Sequence, residues 1–274
     1  MLPPLRYAVD ERRLCPALRR ALRPLHQDAA THAWLEDARA RPHGAAQLAL
    51  RAVARKVMSD FDANGMAGTC DMRVLGRDQW RTLLDHAGPA PAPRRLLDVG
   101  AGDGTVTEEL AALLAPGGEV VTTELSPPMA RRLRKRGWAS HEVDLATTPL
   151  PAGGAPFDLV GLLNVLDRTS RPLSLLETLR PLCRGLLLLA VPLPLRPHVQ
   201  VGPVALSPEE ELPVPKDATA PPFEAGASAL TTLAFAPLGW DVAAFARAPY
   251  LCRGGAAQPV VALDDAIFVL RPRR

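Results

Sequence analysis

The run Leu96-Leu97-Asp98-Val99-Gly100-Ala101-Gly102-Asp103-Gly104 leads from an apolar strand into a glycine-rich turn, and its reading decides the fold. A strand that ends in such a turn and opens a helix marks the nucleotide site of a doubly wound α/β sheet. Glycine is needed there because a side chain would keep a ligand away from the backbone N–H groups at the helix N-terminus. The spacing is G-x-G-x-G, whereas the dinucleotide fingerprint is G-x-G-x-x-G, and position 105 is threonine. That departure favours S-adenosylmethionine over a nicotinamide dinucleotide. For the motif taken alone, a chance glycine turn is the competing reading.

Beyond this turn the next apolar run, Glu119 to Glu124, ends in a carboxylate twenty residues after Gly104. A carboxylate in that place can accept both hydroxyls of a ribose. Asp98, Gly100, Ala101, Gly102, Glu124 and Leu125 are therefore the candidate donor pocket. Asp144, in the stretch HEVDLA, stands where such folds hold an adenine contact, with a capping aspartate as the alternative.

Further strands are expected at Phe157 to Leu163 and Leu186 to Val191, alternating with helices over Thr105 to Leu114, Pro127 to Arg136 and Pro172 to Cys183. Ser126 is the expected N-cap of the second helix and Pro127 its first residue. The alternation implies an α/β, doubly wound, Rossmann-like parallel sheet with helices on both faces. Val199 to Ala225, rich in proline and acids, reads as a long loop with little regular structure. A helix near Ser228 to Ala236 and strands near Trp240 to Ala246 and Ala266 to Leu270 close the chain.

Toward the N-terminus the pattern is helical, with one helix over Ala45 to Phe61 and a shorter one over Asp78 to Leu84. The spacer Gly88 to Pro93 (GPAPAP) separates residues 1–87, a helical N-terminal segment, from a domain over residues 88–274.

Composition narrows the function. The chain has 274 residues, 47% of them hydrophobic, enough for a substantial core. Its net charge of +3 gives no reason to expect nucleic acid or an anionic membrane as partner. The longest apolar run, Gly185 to Leu195, contains two prolines and is about half the length of a membrane-spanning helix. Four cysteines without C-x-x-C spacing argue against a zinc site or a disulfide framework, so free buried thiols are expected and no metal. Arginines and acids interrupt the first twenty residues before an apolar h-region forms, so no secretory signal is expected, and the cytoplasm or an organellar lumen is the expected compartment. The protein is expected to be a monomer.

The fourth strand ends in Gly161-Leu162-Leu163-Asn164-Val165-Leu166-Asp167-Arg168. Asn164 and Asp167 thus emerge at the carboxyl edge of the sheet, where the open crevice lies. Asn164 can position an acceptor, and also face the donor, through its amide; Asp167 can orient an N–H or take up a proton. The alternative is that both merely cap the following helix.

At this point the sequence resembles the seven-strand methyltransferases that modify protein histidine at the N-pros (Nδ1) nitrogen in His-x-His motifs, the DREV-type family. The resemblance is carried by DQWRTLL (78–84), LLDVGAGDGTVT (96–107), TELSPPM (123–129), LLNVLDR (162–168), RPLSLL (171–176), APYLC (248–252) and LDDAIFVLRP (263–272). It implies a seven-strand methyltransferase fold with a helical N-terminal extension, S-adenosylmethionine as cofactor, and protein or peptide substrates with exposed His-x-His segments. It further implies that Asn164, Asp167 and Tyr250 position the substrate imidazole, with Asp167 accepting the Nε2–H. Tyr250 as an ordinary half-buried tyrosine is the alternative. The loops at Leu195 to Val199 and Gly254 to Val261 depart from the family pattern in their aromatic residues. A small-molecule N- or O-methyltransferase and an inactive donor-binding scaffold stay open beside the histidine reading.

Overall fold

A computed structural model describes residues 4–151, 156–215 and 222–273. The elements before the glycine turn are α1 (Pro16–Ala21), α2 (Ala29–Ala40), α3 (Ala45–Ala54), α4 (Asp60–Ala67), β1 (Met72–Arg73) and α5 (Arg77–Ala87). The central part holds β2 (Arg95–Val99), α6 (Thr105–Ala111), β3 (Glu119–Thr123), α7 (Pro127–Lys135), β4 (Ala139–His141), β5 (Phe157–Leu163), α8 (Pro172–Leu182) and β6 (Cys183–Pro192). A hairpin β7 (Val199–Val201) and β8 (Val204–Leu206), helix α9 (Pro222–Ala229), and long strands β9 (Trp240–Arg253) and β10 (Val260–Pro272) complete it. Among the described residues, no helix is long and apolar enough to cross a membrane.

Among the described residues, eight strands form one sheet in the order β1-β9-β10-β6-β5-β2-β3-β4. From β4 to β6 the pairs are parallel, as alternating helices require. The other edge corrects the expectation of a parallel sheet: β10 runs antiparallel to β6, β9 to β10, and β1 to β9. The reason lies in the connection, because the short link between β9 and β10 permits only a hairpin. The chain reverses its direction of winding beside β2, which is flanked by β3 and β5, and this opens the crevice at the carboxyl ends of those strands.

Successive side chains of a strand point to opposite faces, and they fill two cores. Leu97, Val99, Val160, Leu162, Leu187, Leu189 and Phe268 pack with α1, α8 and α9, while Leu96, Leu159, Leu188, Ala246 and Ile267 pack with α5 and α6. The segment before residue 88 joins both: Leu14 and Leu18 enter the first core, and Leu75, Trp80 and Leu83 the second. The spacer at 88–93 marks a change of element pattern within shared packing.

Two local expectations are corrected. The helix expected over Ala45 to Phe61 breaks after Ala54, because Ser59 starts a new helix by accepting the Asp62 N–H at 3.1 Å. The loop expected over 199–225 begins as a hairpin, where Gly202 at φ 55° supplies the turn; its residues 216–221 lie outside those described. The four cysteines are free, with Cys70 and Cys183 buried, and burial pushes both thiols up to about 12.

Candidate active site

The donor side is built by the turn after β2. Gly100 and Gly102 take φ 67° and 58°, the left-handed region that side chains disfavour. The turn is tied to β3 by the Gly100 and Ala101 N–H groups, both donating to the Thr123 carbonyl at 2.9 and 3.1 Å. A Cβ on Gly100 would lie 2.7 Å from Val165, whereas one on Gly102 would meet nothing within 4 Å. Gly100 is therefore fixed by packing as well as by its φ, and Gly102 by its φ, with open space above it.

Asp98 lies beneath this turn, fully buried. Its Oδ2 accepts the Thr107 hydroxyl at 2.6 Å, and its Oδ1 would be 2.5 Å from a Cβ on Gly161. Asp98 thus fastens α6 to β2 while Gly161 makes room for it. Burial pushes its carboxyl up to about 6, with the Thr107 hydrogen bond opposing.

Glu124 follows β3 at the same edge. Its Oε2 accepts the Gly102 N–H and its Oε1 the Ser126 N–H, each at 2.8 Å, so one carboxylate joins the glycine turn to the start of α7. Burial raises its pKa, the two backbone N–H groups oppose that shift, and Asp62 of α4 raises it further. A carboxylate has about four lone-pair sites, so Glu124 keeps two for a ligand. Leu125 beside it is 62% exposed. Asp144 accepts the Ala146 N–H at 2.9 Å, closing its own turn after β4, which is the capping geometry.

The acceptor side starts where β5 ends. Asn164 has φ 56°, rare for a residue with a side chain but tolerated by asparagine. Its N–H still reaches the Ala190 carbonyl at 2.9 Å, while its Nδ2 donates to Asp265 Oδ2 at 2.9 Å. Asp167 is buried; Arg168 Nε stands 3.7 Å from its Oδ2, and the His198 N–H donates to its carbonyl at 2.6 Å. Burial raises the Asp167 pKa against the pull of Arg168 and His198. Tyr250 is buried in the core beside α5, with its hydroxyl turned to Met72 Sδ on β1. The structure therefore brings Asn164 and Asp167 together at the edge and sets the Tyr250 hydroxyl against β1.

Helix α4 crosses between the two sides. Arg132 of α7 donates to the Gly65 carbonyl at 2.6 Å and lies 4.0 Å from Asp103 in the glycine turn. At its other end Asp60 pairs with His198 Nε2 at 3.3 Å, and its N–H donates to Gln200 at 2.9 Å. Phe61 lies under the Arg168 guanidinium at 5.2 Å. The N-terminal segment thus roofs the crevice.

Buried polar atoms without partners are uncommon in folded proteins and call for an explanation. Here they include Asp62 Oδ1 and Ser126 Oγ on the donor side, and Asn164 Oδ1, Asp167 Oδ1 and Asp265 Oδ1 on the acceptor side. Among the described residues these five lie on α4, before α7, in the turn after β5 and on β10, while others, His43 Nε2, Arg73 Nη2 and Trp80 Nε1 among them, lie elsewhere. Sequence reasoning missed Asp265, Arg168, Asp62 and Asp60. Asp265 carried a signal, since a carboxylate entering the apolar strand LDDAIFVL must find a buried partner.

The family model described as DREV methyltransferase matches residues 7–272. The chain is 35% identical over 132 residues to a demethylmenaquinone methyltransferase of Clavibacter sepedonicus, covering 45% of this chain and 53% of that one. It is 40% identical over 84 residues to a malonyl-[acyl-carrier protein] O-methyltransferase of Legionella pneumophila, covering 29% of this chain and 28% of that one. The chain thus spans about half the length of the first of these curated relatives and just over a quarter of the second. Among solved structures it is similar to magnesium protoporphyrin IX methyltransferase from Synechocystis PCC 6803, with 16% identity, TM-score 0.43, and coverage of 72% of this chain and 78% of that one.

Proposed function

We propose that this chain, which belongs to the DREV methyltransferase family, is an S-adenosylmethionine-dependent methyltransferase of protein histidine, acting at Nδ1 in exposed His-x-His segments. The observation that carries the acceptor assignment is the pair of buried, unpartnered oxygens Asn164 Oδ1 and Asp167 Oδ1 at the end of β5. Neutral imidazole suits the Asp167 oxygen, because its single N–H can be donated there while its other nitrogen keeps a lone pair for reaction.

The residues of the donor side fit S-adenosylmethionine. The open space over Gly102 admits the ligand to the backbone. Glu124 is assigned the ribose hydroxyls through its two remaining lone-pair sites, Leu125 the face of the adenine, and Asp144 the adenine edge. Asp98 holds the turn from below through Thr107. When bound, S-adenosylmethionine supplies a methyl carbon attached to a positively charged sulfur.

Asp167 accepts the Nε2–H of the substrate, which directs the Nδ1 lone pair toward the methyl carbon. With S-adenosylmethionine bound, Nδ1 would take the methyl group while the C–S electron pair stays on sulfur, and Asp167 would take up the Nε2 proton and pass it to water. Most of the acceleration comes from holding the two partners in line. Burial raises the Asp167 pKa, which makes it a better proton acceptor once the methylated ring carries a positive charge. Tyr250 is assigned to the wall behind this site, since its strand position pairs with Leu263, two residues before Asp265 on the same face.

A second reading, transfer to a small molecule, is favoured by the likeness to a demethylmenaquinone methyltransferase; a cavity of about 530 Å³ lined by Leu166, Thr169, Arg196, Glu210 and Leu212 includes none of the residues assigned to donor or acceptor. Calorimetry with protein saturated with S-adenosylhomocysteine separates the two. Binding of an Ala-His-Ala-His-Ala peptide, with none for the all-alanine peptide, supports the histidine reading. No binding of the histidine peptide under those conditions sinks it.

A further inference from the structure

Asp265 is fully buried, yet no sheet bond needs its side chain. The register pairs it with Pro192 of β6 and Ala248 of β9, so it lies where β10 passes the end of β6. There it meets Asn164, whose left-handed backbone turns the side chain toward β10 while its N–H stays in the sheet. The NH2 end of the Asn164 amide donates to Asp265 Oδ2 at 2.9 Å. The carbonyl end, Oδ1, then points the other way and is buried without a partner, as is Asp167 Oδ1 three residues on.

We infer that Asp265 is a positioning residue that fixes the Asn164 amide with its oxygen turned into the acceptor site, and that the site therefore takes a nucleophile bearing an N–H in preference to an anion. This deepens the histidine reading and rests on it for the identity of the nucleophile. The Asn164 amide oxygen can only accept, and the ionised Asp167 carboxylate likewise, so beside them an incoming phenolate or carboxylate finds no donor and meets a like charge, which rejects it. Arg168 does not reverse this, since its Nε is directed at the other oxygen of Asp167 and its guanidinium lies over Phe61. Burial pushes the Asp265 carboxyl well up, and the neighbouring Asp167 carboxylate pushes it the same way.

The test exchanges the pair in the full chain. Asp265→Asn gives Asn164 a partner that offers both an oxygen and an NH2, so the amide loses its fixed direction. Asn164→Asp sets two carboxylates against each other. The double exchange keeps the hydrogen bond with donor and acceptor reversed, and again leaves an oxygen facing the acceptor site. Each single variant is expected to lower kcat on a His-x-His peptide at least about tenfold, and Asp265→Asn to leave S-adenosylhomocysteine affinity within about twofold of wild type. The double exchange is expected to return to within about threefold of wild-type kcat. A double exchange no better than the weaker single variant, or Asp265→Asn at wild-type kcat, overturns the inference.

A measurement without turnover covers the case in which the histidine reading itself fails. In wild type the side-chain amide protons of Asn164 should exchange slowly with solvent, and in Asp265→Ala they should lose that protection. Equal exchange in both overturns the positioning role whatever the substrate is. A wild type inert on histidine peptides but with that protection pattern overturns the function and upholds the role of Asp265.

Discussion

Replacing Asp167 by asparagine isolates the one charge assigned to the acceptor. The side chain keeps its shape, and the 2.6 Å hydrogen bond from the His198 N–H is made to the Asp167 carbonyl, so it survives. What is lost is the difference between a hydrogen bond to a charged acceptor, about 1.5–3 kcal/mol, and one to a neutral amide, about 1 kcal/mol. The resulting ~0.5–2 kcal/mol converts to a fall in kcat of about 2- to 30-fold. Alanine removes the acceptor altogether and should lower kcat by about 10- to 150-fold. Stability should move the other way. Burial raises the folded-state pKa of Asp167, and a carboxyl raised in this way contributes stability below its unfolded pKa that is lost as pH rises through the folded value. Above that folded value the ionised Asp167 weakens the fold, and there the asparagine variant should melt no lower than wild type. The assay is single-turnover transfer to a histidine peptide, with donor affinity by calorimetry and Tm by scanning. Parallel loss of donor affinity and rate, or an unchanged rate, refutes the assignment of Asp167 to the acceptor.

Asp98, pushed up to about 6 by burial, should make wild type less stable relative to Asp98→Asn as pH rises from about 4 through about 6, by ~3 kcal/mol; urea unfolding at the two ends of that range showing the same difference contradicts it. Gly102→Ala places a Cβ in open space at φ 58°, so it should destabilise by only about 1–2 kcal/mol while weakening donor binding at least about tenfold. Gly100→Ala, whose Cβ would meet Val165 at 2.7 Å, should cost more stability than Gly102→Ala, and the reverse order in thermal melts would contradict the packing described. Asp60→Ala removes the pairs to His198 and Arg55, each worth about 1 kcal/mol or less; peptide KM should rise about three- to fivefold with donor affinity unchanged, and an unchanged KM argues that α4 does not border the peptide.

Much of this was legible because its cause is local. Leu96 to Val99, Val120 to Thr123, Phe157 to Leu163 and Leu186 to Val191 are apolar runs buried on both faces, and such runs read as strands without reference to anything distant. The glycine turn and Glu124 were legible for the same reason, since φ near 60° and a carboxylate at a strand end are sequence-level demands. The antiparallel edge was not, because β9 and β10 extend past their apolar centres through Pro249, Arg253, Asp264 and Asp265, which look like loop residues until their partners are known. Asp265 finds Asn164 across 101 positions of sequence, and α4 finds His198 and Gln200 across more than that. Periodicity carries no information about contacts of that range. The break between α3 and α4 is different: Ser59 followed by acids at 60 and 62 is a start signal hidden by the apolar spacing on either side.

The most direct test of histidine-directed transfer is to supply labelled S-adenosylmethionine and an Ala-His-Ala-His-Ala peptide to the full chain, with the all-alanine peptide as control, and to identify the modified nitrogen after hydrolysis. Label confined to the histidine peptide and found on Nδ1 is the expected result. No label on that peptide while S-adenosylmethionine binding is intact, or label on Nε2, would contradict the placement of the imidazole between Asp167 and the methyl donor.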